Sequence, residues 1–560
     1  MTLRAVPALT IALLLLPIGA GLLGTLLPAF GLLPAIGGQA LSLEPWRSLF
    51  EAPGLGTAIR LSVSTGLAAT LLSLALVLGF CAAAHDTRSF GRMQAALAPI
   101  LATPHAALAI GFAFLIAPSG WILRLLSPWA TGWDRPPDLV TVQDPLGIAL
   151  VLGLCLKEVP YLLLMTLAAL AQVRAAPALA VARTLGYGPV LAWLKVVAPQ
   201  LWPQLRLPVY AVLAFSLSVV DVALVLGPSN PPTLAVMVVR WFADRDVALW
   251  FPAAAGALLQ AGIVAGAIAL VFGIERLARP IGRSWIFAGR RGGEGAWLAR
   301  GASVLLALIL AASLLAILAL AVWSFSGIWR FPDALPQAWS LATWRAQGQA
   351  LAAPIAATLG LASASTLLAL VLVLLCLEAE SRFALPPGRG ATLILYLPLL
   401  LPQIAFLFGL QVVLVRLRLD GMAVAVVWAH LLFVLPYVYL SLADPWRALD
   451  PRMLRAAVAL GAGPWRCFLA VKLPLLLRPM LAAAAVGFAV SVSLYLPTLF
   501  AGAGRIATLT TEAITLAAGS DRRVLGAYAL VQAVLPLLVY GTAIALPAWH
   551  HRNRAGMSVR

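Results

Sequence analysis

The chain has few charged residues. Asp, Glu, Lys and Arg together make up 10% of its 560 residues, whereas hydrophobic residues make up 62%. So small a polar fraction cannot cover a soluble globule of this size, and several apolar runs are long enough to cross a bilayer. Because a segment in lipid must satisfy its own backbone hydrogen bonds, these runs predict spanning helices. The sequence therefore predicts an all-α integral membrane protein.

Acidic residues are especially scarce, with 20 Asp and Glu against 38 Lys and Arg and a net charge of +18. The basic residues cluster in short connections between apolar runs, as is typical of the cytoplasmic loops of inner-membrane proteins. The charge therefore predicts two cytoplasmic termini in a bacterial inner membrane, and it does not predict a nucleic-acid partner. The segments assigned to the cytoplasm are 85–93, 172–200, 276–299, 378–390, 444–473 and 550–560.

Cysteine is rare as well. The four cysteines form no close pair and no metal-like spacing, so we expect reduced packing residues and no metal site. The phosphate-binding pattern Gly-x-x-x-x-Gly-Lys-Ser/Thr does not occur in the sequence, so we expect the chain to bind no nucleotide cofactor and to hydrolyse no ATP itself. The four residues are Cys81, Cys155, Cys376 and Cys467.

The apolar runs predict about twelve spans. The first run is longer than the apolar region of a cleaved signal peptide, which is about 7–15 residues, and this favours a retained span. Six predicted spans precede residue 276 and six follow residue 299. The spans are near 8–32, 57–84, 94–117, 146–171, 203–227, 251–274, 300–323, 352–377, 391–415, 422–444, 478–502 and 526–548.

Two stretches 275 residues apart carry the same short pattern. In each, a helix-prone basic segment ends at a glycine, Gly186 or Gly461. Nine residues separate that glycine from a Val-x-x-Pro sequence. The same offset relates further Pro, Ser, Thr and Asp positions that follow the glycine, and upstream of the loops the offset shifts. The repeat predicts two homologous six-helix halves, 1–275 and 300–549, joined by a linker at 276–299 and followed by a tail at 550–560.

Each pattern predicts a helix, a turn and a second helix on the cytoplasmic face. The glycine ends the first helix in a left-handed cap, and the proline three residues later begins the next helix. Small side chains in both loops, 172–200 and 447–474, favour close approach by another protein. The candidate docking residues are Ala180, Ala182, Gly186, Pro189, Pro199, Arg455, Ala456, Ala457, Gly461, Pro464 and Pro474.

These loops resemble the EAA loop of permease subunits from bacterial ABC importers, whose pattern is Glu-Ala-Ala, three residues, Gly, nine residues, Ile-x-Leu-Pro. The chain departs from it at the leading glutamate, where Ala180 and Arg455 stand instead. It looks most like the fused two-half permeases of the iron(III), thiamine and putrescine–sulfate branch. Within that branch, residues 157–161 resemble an uncharacterised subgroup of importers.

The resemblance implies a type I importer permease fold and an importer of a small solute. It also implies partners: two copies of a cytoplasmic ABC ATPase subunit, which would hold ATP and Mg²⁺, and a periplasmic or extracellular solute-binding protein. The duplicated external segments 227–246 and 502–523 are candidate surfaces for that delivery protein.

Ionisable residues inside spans are costly and are candidates for a solute pathway. Lys157 and Glu158 lie in the fourth predicted span, and Asp221 lies in the fifth. His430 is a further candidate. Three of the candidates have a structural alternative: pairing within the bundle for Lys157, tying helices together for Asp221, and a packed, hydrogen-bonded role for His430. The other candidates are Ser216, Ser218, Ser491 and Ser493.

Two other functions fit the sequence less closely. An ion-coupled secondary transporter with two six-helix repeats has a comparable architecture, but it gives no reason for the twin cytoplasmic loops. A non-transporting membrane scaffold is the third hypothesis. No residue selects among iron(III), thiamine, polyamines and oxyanions as the solute.

Overall fold

The computed structural model describes residues 3–85, 93, 97–292, 295–385 and 388–550. The regular secondary structure of the described residues is helical, and two isolated β-bridges lie in loops. Nine of their helices are long and apolar enough to cross a bilayer, and the number reaches eleven when two sharply bent helix pairs each count as one span. The chain is therefore an all-α integral membrane protein. The predicted tail 550–560, apart from its first residue, and most of the predicted loop 85–93 lie outside the described residues.

The first half contains long helices connected by short ones. In chain order they are α1 (Val6–Ala29), α2 (Glu44–Glu51), α3 (Leu55–Ala84), α4 (His105–Ile116), α5 (Trp121–Leu126), α6 (Ile148–Leu170), α7 (Ala175–Thr184), α8 (Pro189–Ala192), α9 (Ala198–Ser218), α10 (Asp221–Leu226), α11 (Leu234–Phe242) and α12 (Trp250–Phe287).

The second half repeats this order. Its helices are α13 (Ala296–Ser324), α14 (Ala342–Phe383), α15 (Arg389–Leu400), α16 (Ile404–Arg416), α17 (Ala423–Arg447), α18 (Pro451–Ala459), α19 (Pro464–Cys467), α20 (Leu473–Leu475), α21 (Leu477–Ser493), α22 (Leu496–Ala501), α23 (Leu509–Ala517) and α24 (Arg522–His550).

The repeat is visible in local hydrogen bonding. Thr233 and Thr508 are the N-cap residues of α11 and α23, which begin 275 residues apart. The first backbone N–H of each helix donates to a hydroxyl of the second span in its own half: Leu234 to Ser62 at 2.9 Å, and Leu509 to Thr358 at 3.0 Å. Most residues of α11 are buried. The duplicated segments 227–246 and 502–523 are therefore each hydrogen-bonded to the second span of their own half.

Several predicted segments differ from the structure. The predicted spans 94–117, 391–415 and 478–502 are each interrupted, at residues 103–104, 401–403 and 494–495. The fifth span, predicted at 203–227, is not one continuous helix, because α9 ends at Ser218 and α10 begins at Asp221. Helix α9 is also absent from the nine apolar helices, since its first half contains Gln200, Gln204 and Arg206. The predicted linker 276–299 is largely helical, because α12 continues to Phe287 and α13 begins at Ala296.

The first helix of each half packs on the other half. Helix α1 lies along α16, and α13 lies along α4 and α3. Side-chain hydrogen bonds add further contacts between the halves: the Trp428 indole N–H on α17 donates to the Leu13 carbonyl on α1 at 3.2 Å, and the Ser313 hydroxyl on α13 donates to the Leu156 carbonyl on α6 at 3.1 Å. The two halves are therefore interlocked.

Glycine makes the α1–α16 contact possible. A Cβ atom at Gly21 would overlap the backbone carbonyl oxygen of Phe406, and one at Gly409 would overlap the backbone of Gly21. The Gly409 N–H also donates to the Thr25 hydroxyl at 3.2 Å. Close backbone approach through small residues is a common basis of helix association in membranes.

We expect Gly21→Ala to lower stability by about 1–3 kcal/mol, because the new methyl group meets a main-chain carbonyl that cannot move aside. Gly19→Ala on the same helix is the matched control, since a Cβ there has nothing within 4 Å. The measurement is thermal unfolding of the detergent-solubilised chain by tryptophan fluorescence. Equal melting temperatures for the two variants would contradict the close approach.

Candidate functional site

The two repeated loops, 172–200 and 447–474, have the same backbone conformation. Gly186 has φ +84° and Gly461 has φ +83°, so both adopt the left-handed conformation. The next residue in each loop donates its N–H five residues back, Tyr187 to Ala182 at 3.1 Å and Ala462 to Ala457 at 3.0 Å. This is the Schellman ending of a helix, and the glycine is needed at its left-handed position.

The second part of each loop is also duplicated. Pro189 and Pro464 begin α8 and α19, where a missing N–H costs nothing. A π-helical turn then follows at the same offset, Trp193–Val197 and Phe468–Lys472. Pro199 lies in the first turn of α9, and Pro474 lies in α20. The docking candidates Ala180, Arg455 and Ala456 are exposed, Ala457 is half-buried and Ala182 is buried.

A buried ion pair anchors the second loop to α14. The Lys472 ammonium lies 2.6 Å from a Glu378 carboxylate oxygen and donates to the Ser381 hydroxyl at 3.0 Å. Glu378 also accepts from Arg382 at 2.9 Å, and Lys472 lies 5.1 Å from the centre of the Trp446 ring. The end of the π-helical turn is therefore fixed to the C-terminal end of α14, the second span of its half.

The first loop is anchored differently. Its buried Lys195 donates to the Arg290 carbonyl at 3.3 Å and lies 4.9 Å from the Trp285 ring centre and 5.5 Å from that of Tyr187. The Arg291 guanidinium lies 6.0 Å from the Tyr187 ring centre. The first loop thus packs on the connection between the halves, whereas the second loop packs on a span.

Sequence reasoning missed the three anchoring charges Lys195, Glu378 and Lys472. A signal was present for two of them: a lone lysine stands in an apolar run just before the terminal proline of each loop. The choice of partner carried no signal, because Glu378 is 94 residues from Lys472 and Arg290 is 95 residues from Lys195.

Lys157, a predicted pathway residue, is hydrogen-bonded to backbone carbonyls. Its ammonium donates to the carbonyls of Ile100, Leu101 and Thr103, the first two at 3.0 Å and 2.7 Å. These carbonyls end the helical residues 97–102, just before Pro104 breaks the chain direction. An ammonium has three donors, and all three are occupied.

The two predicted carboxylates lie near tyrosines of the opposite half. Glu158 is buried and within electrostatic reach of Tyr161 and Tyr437, which are repeat-related. Asp221 is half-buried at the break between α9 and α10, and it is within electrostatic reach of Tyr495. Tyr495 lies at the corresponding break between α21 and α22. Both carboxylates therefore face the junction of the two halves.

The four predicted serines form two pairs whose members are two positions apart in the sequence, one pair on α9 and one on α21. Ser218 and Ser493 donate to the carbonyls of Ala214 and Ala489, four residues back, at 2.7 Å and 2.8 Å. The Ser216 hydroxyl is buried with no hydrogen-bond partner among the described residues.

His430 and Ser491 belong to one buried network. The Nδ1 atom of His430 lies 2.8 Å from the Ser491 hydroxyl, and Nε2 lies 2.9 Å from the Thr498 hydroxyl. Ser491 also lies 3.1 Å from the Ser365 hydroxyl. The network joins α14, α17, α21 and α22, and both imidazole nitrogens are used in it.

The chain is similar along nearly all of its length to a known transport protein. It is 34% identical over 523 residues, 92% of this chain and 93% of the relative, to the inner membrane ABC transporter permease protein YnjC of Escherichia coli (strain K12). The chain belongs to the ABC transporter permease family. No protein-family model matches it. This permease is therefore the membrane-spanning transport subunit of an ABC transporter, and an ABC ATPase is its partner.

We expect Glu378→Gln to destabilise this permease by about 3–5 kcal/mol, because it leaves the buried Lys472 ammonium without a charged partner. Lys472→Met should cost less, since Arg382 still faces Glu378. The measurement is the free energy of unfolding in mixed detergent micelles.

The matched control for this ion pair is Asp521→Asn. Asp521 pairs with Arg523, which holds the pKa of the Asp521 carboxyl below its usual range, but both side chains are exposed. An exposed pair contributes about 0–1 kcal/mol. Equal losses for Glu378→Gln and Asp521→Asn would show that the buried pair does not hold the loop.

Proposed function

We propose that this permease is the membrane subunit of a binding-protein-dependent importer, which moves a small solute into the cytoplasm with ATP hydrolysed by a separate subunit. The observation that carries the proposal is the pair of loops with one backbone plan: a left-handed glycine, a helix-starting proline and a π-helical turn, each repeated 275 residues on. Two equivalent loops suit two copies of one ATPase subunit, on which ATP and Mg²⁺ would be bound.

The loops are connected directly to the broken helices. From the first π-helical turn the chain continues into α9, whose 21 residues span about 30 Å at 1.5 Å per residue before the break at Asp221. In the second half α20 and α21 make the same path to the break at Tyr495. Closure of the two ATPase subunits would move the loops, and α9 and α21 would carry that movement to the middle of the membrane.

The solute pathway in this proposal lies between the halves, at the two breaks. Glu158, Asp221 and Ser216 are its polar candidates, because they lie at depth with few or no partners of their own. Lys157 is the weaker candidate, since its ammonium is occupied by three carbonyls. The solute itself stays unassigned.

The proposal places both loops, both termini and the connection between the halves in the cytoplasm of a bacterial inner membrane. The Escherichia coli relative YnjC is an inner membrane protein, and the basic loops follow the positive-inside rule. The solute-binding protein would dock on the opposite face, where α11 and α23 lie. Membership of the ABC permease family supports this function over an ion-coupled secondary transporter.

We expect Gly461→Ala to reduce ATP hydrolysis by the reconstituted transporter, because a left-handed conformation costs a residue with a Cβ atom about 1–2 kcal/mol. Gly463→Ala is the matched control. Gly463 lies in the same loop at φ −67°, and a Cβ atom has nothing within 4 Å at either position. The measurement is solute-stimulated ATP hydrolysis by the complex of the full chain with its ATPase.

Two outcomes would contradict the proposal. Equal ATP hydrolysis by the Gly461→Ala and Gly463→Ala complexes would mean that the loop geometry does not serve the ATPase. ATP hydrolysis by the purified chain alone would overturn the division of labour between subunits.

A further inference from the structure

The two loops carry almost no negative charge. Residues 172–200 contain three Lys and Arg and no Asp or Glu, and residues 447–474 contain five Lys and Arg and one Asp. That one acid, Asp450, accepts the Arg452 N–H at 2.9 Å and caps the start of α18. Its charge is therefore directed at the backbone of its own helix.

Not every basic residue of the loops faces outward. Lys195 and Lys472 are buried in their anchors, and Arg447 forms a two-point ion pair with Glu380 at 2.8 Å and 3.0 Å. The remaining five arginines are exposed, and none takes part in an ion pair among the described residues. They are Arg174 and Arg183 in the first loop and Arg452, Arg455 and Arg466 in the second.

In the part of the chain that the structure describes, the acidic residues around the loops do not compensate for this charge. Glu378 and Glu380 pair with Lys472, Arg382 and Arg447, and Glu275 on α12 pairs with Arg206 and Arg279. Asp444 is exposed on α17, before the second loop begins. Beside the first loop, Arg290 and Arg291 add two more exposed positive charges.

Exposed apolar side chains accompany the arginines. Leu460, the residue before the left-handed Gly461, is 88% exposed, and Val458 is 62% exposed. Their counterparts in the first loop are Leu185 and Arg183, and Leu185 is 52% exposed. A leucine that the fold leaves almost fully in water, inside a basic rim, is the pattern of a protein docking surface.

We propose that the ATPase subunit receives each loop in a groove with an apolar floor and an acidic rim, and that Arg455 and Arg183 contact that rim. The inference rests on the proposed function and specifies the chemistry of its partner. Complementary charge steers and orients protein association, while the apolar centre supplies most of the affinity. The second surface, with three exposed arginines and the more exposed leucine, contributes more than the first.

An anionic lipid surface is the competing partner for basic residues next to a membrane. The duplicated backbone favours the ATPase. Lipid head groups select charge and amphipathicity, whereas they give no reason for the same left-handed cap, helix-starting proline and π-helical turn in both loops.

The test uses the full chain in phosphatidylcholine nanodiscs and the ABC ATPase subunit that is recovered with it from native membranes and then purified separately. The variants are Arg455→Glu and Arg183→Glu, and Arg455→Lys keeps the charge. Arg345→Glu is the control, because Arg345 is exposed near the start of α14, at the opposite end of that helix from Glu378. Binding is measured by biolayer interferometry in about 0.05 M and about 0.5 M NaCl, where screening differs severalfold.

We expect Arg455→Glu to weaken binding about tenfold or more in low salt, Arg183→Glu to weaken it less, and Arg455→Lys and Arg345→Glu to bind as the original chain does. High salt should weaken the original chain and remove most of the difference. Unchanged binding of Arg455→Glu would overturn the acidic rim. An effect of the reversals that appears only in nanodiscs containing phosphatidylglycerol would assign the arginines to lipid and also overturn it.

The same experiment separates this inference from the proposed function. If no ABC ATPase binds the original chain, the proposed function fails. If the ATPase binds the original chain and both charge-reversed variants equally, the function stands and the acidic rim is wrong.

Discussion

The reciprocal packing of the first helix of each half on the other half is the constraint on which the rest of the molecule depends. Helix α1 reaches α16 closely enough that the backbones of Gly21 and Gly409 touch, and α13 crosses to α4 in the same way at Gly111 and Ala316. Main-chain contacts of this kind leave no flexible side chain to absorb a shift. We therefore expect any opening between the halves to be a tilt about these contacts.

Several buried polar side chains in this apolar chain stabilise places where the backbone is irregular. Lys157 satisfies three carbonyls at the break before α4, and Lys195 and Lys472 fix the two π-helical turns. An unpaired carbonyl is costly inside a membrane, so a broken helix there needs a donor from another element. A buried lysine is thus structural at three places in this chain. Glu158, which satisfies no such break, is better placed to face a solute, whereas the Asp221 carboxylate accepts from backbone N–H groups at the break between α9 and α10.

Local features could be predicted from the sequence, and features set by distant partners could not. The left-handed glycines and the helix-starting prolines depend on a few neighbouring residues, so Gly186, Gly461, Pro189 and Pro464 were predictable. The break at Asp221 was not, because Val219 and Val220 look like the interior of an apolar span. Nor was the role of Lys157, since its carbonyl partners lie 54–57 residues away. The roles of the pathway residues stay predictions.

The two loops share a backbone conformation, but they are anchored to different parts of the molecule. Loop 447–474 is tied through Lys472 to α14, a span of its own half, and α14 also contacts α1 of the first half through Cys376 and Thr10. Loop 172–200 is tied through Lys195 to residues 285–291, which lead into α13, and α13 packs on α4 of the first half. A movement of the first loop therefore reaches both halves through one covalent connection. If two copies of one ATPase subunit bind these loops, as proposed, one copy meets a loop held by a span and the other meets a loop held by the connection between the halves, so symmetric docking need not transmit symmetric force.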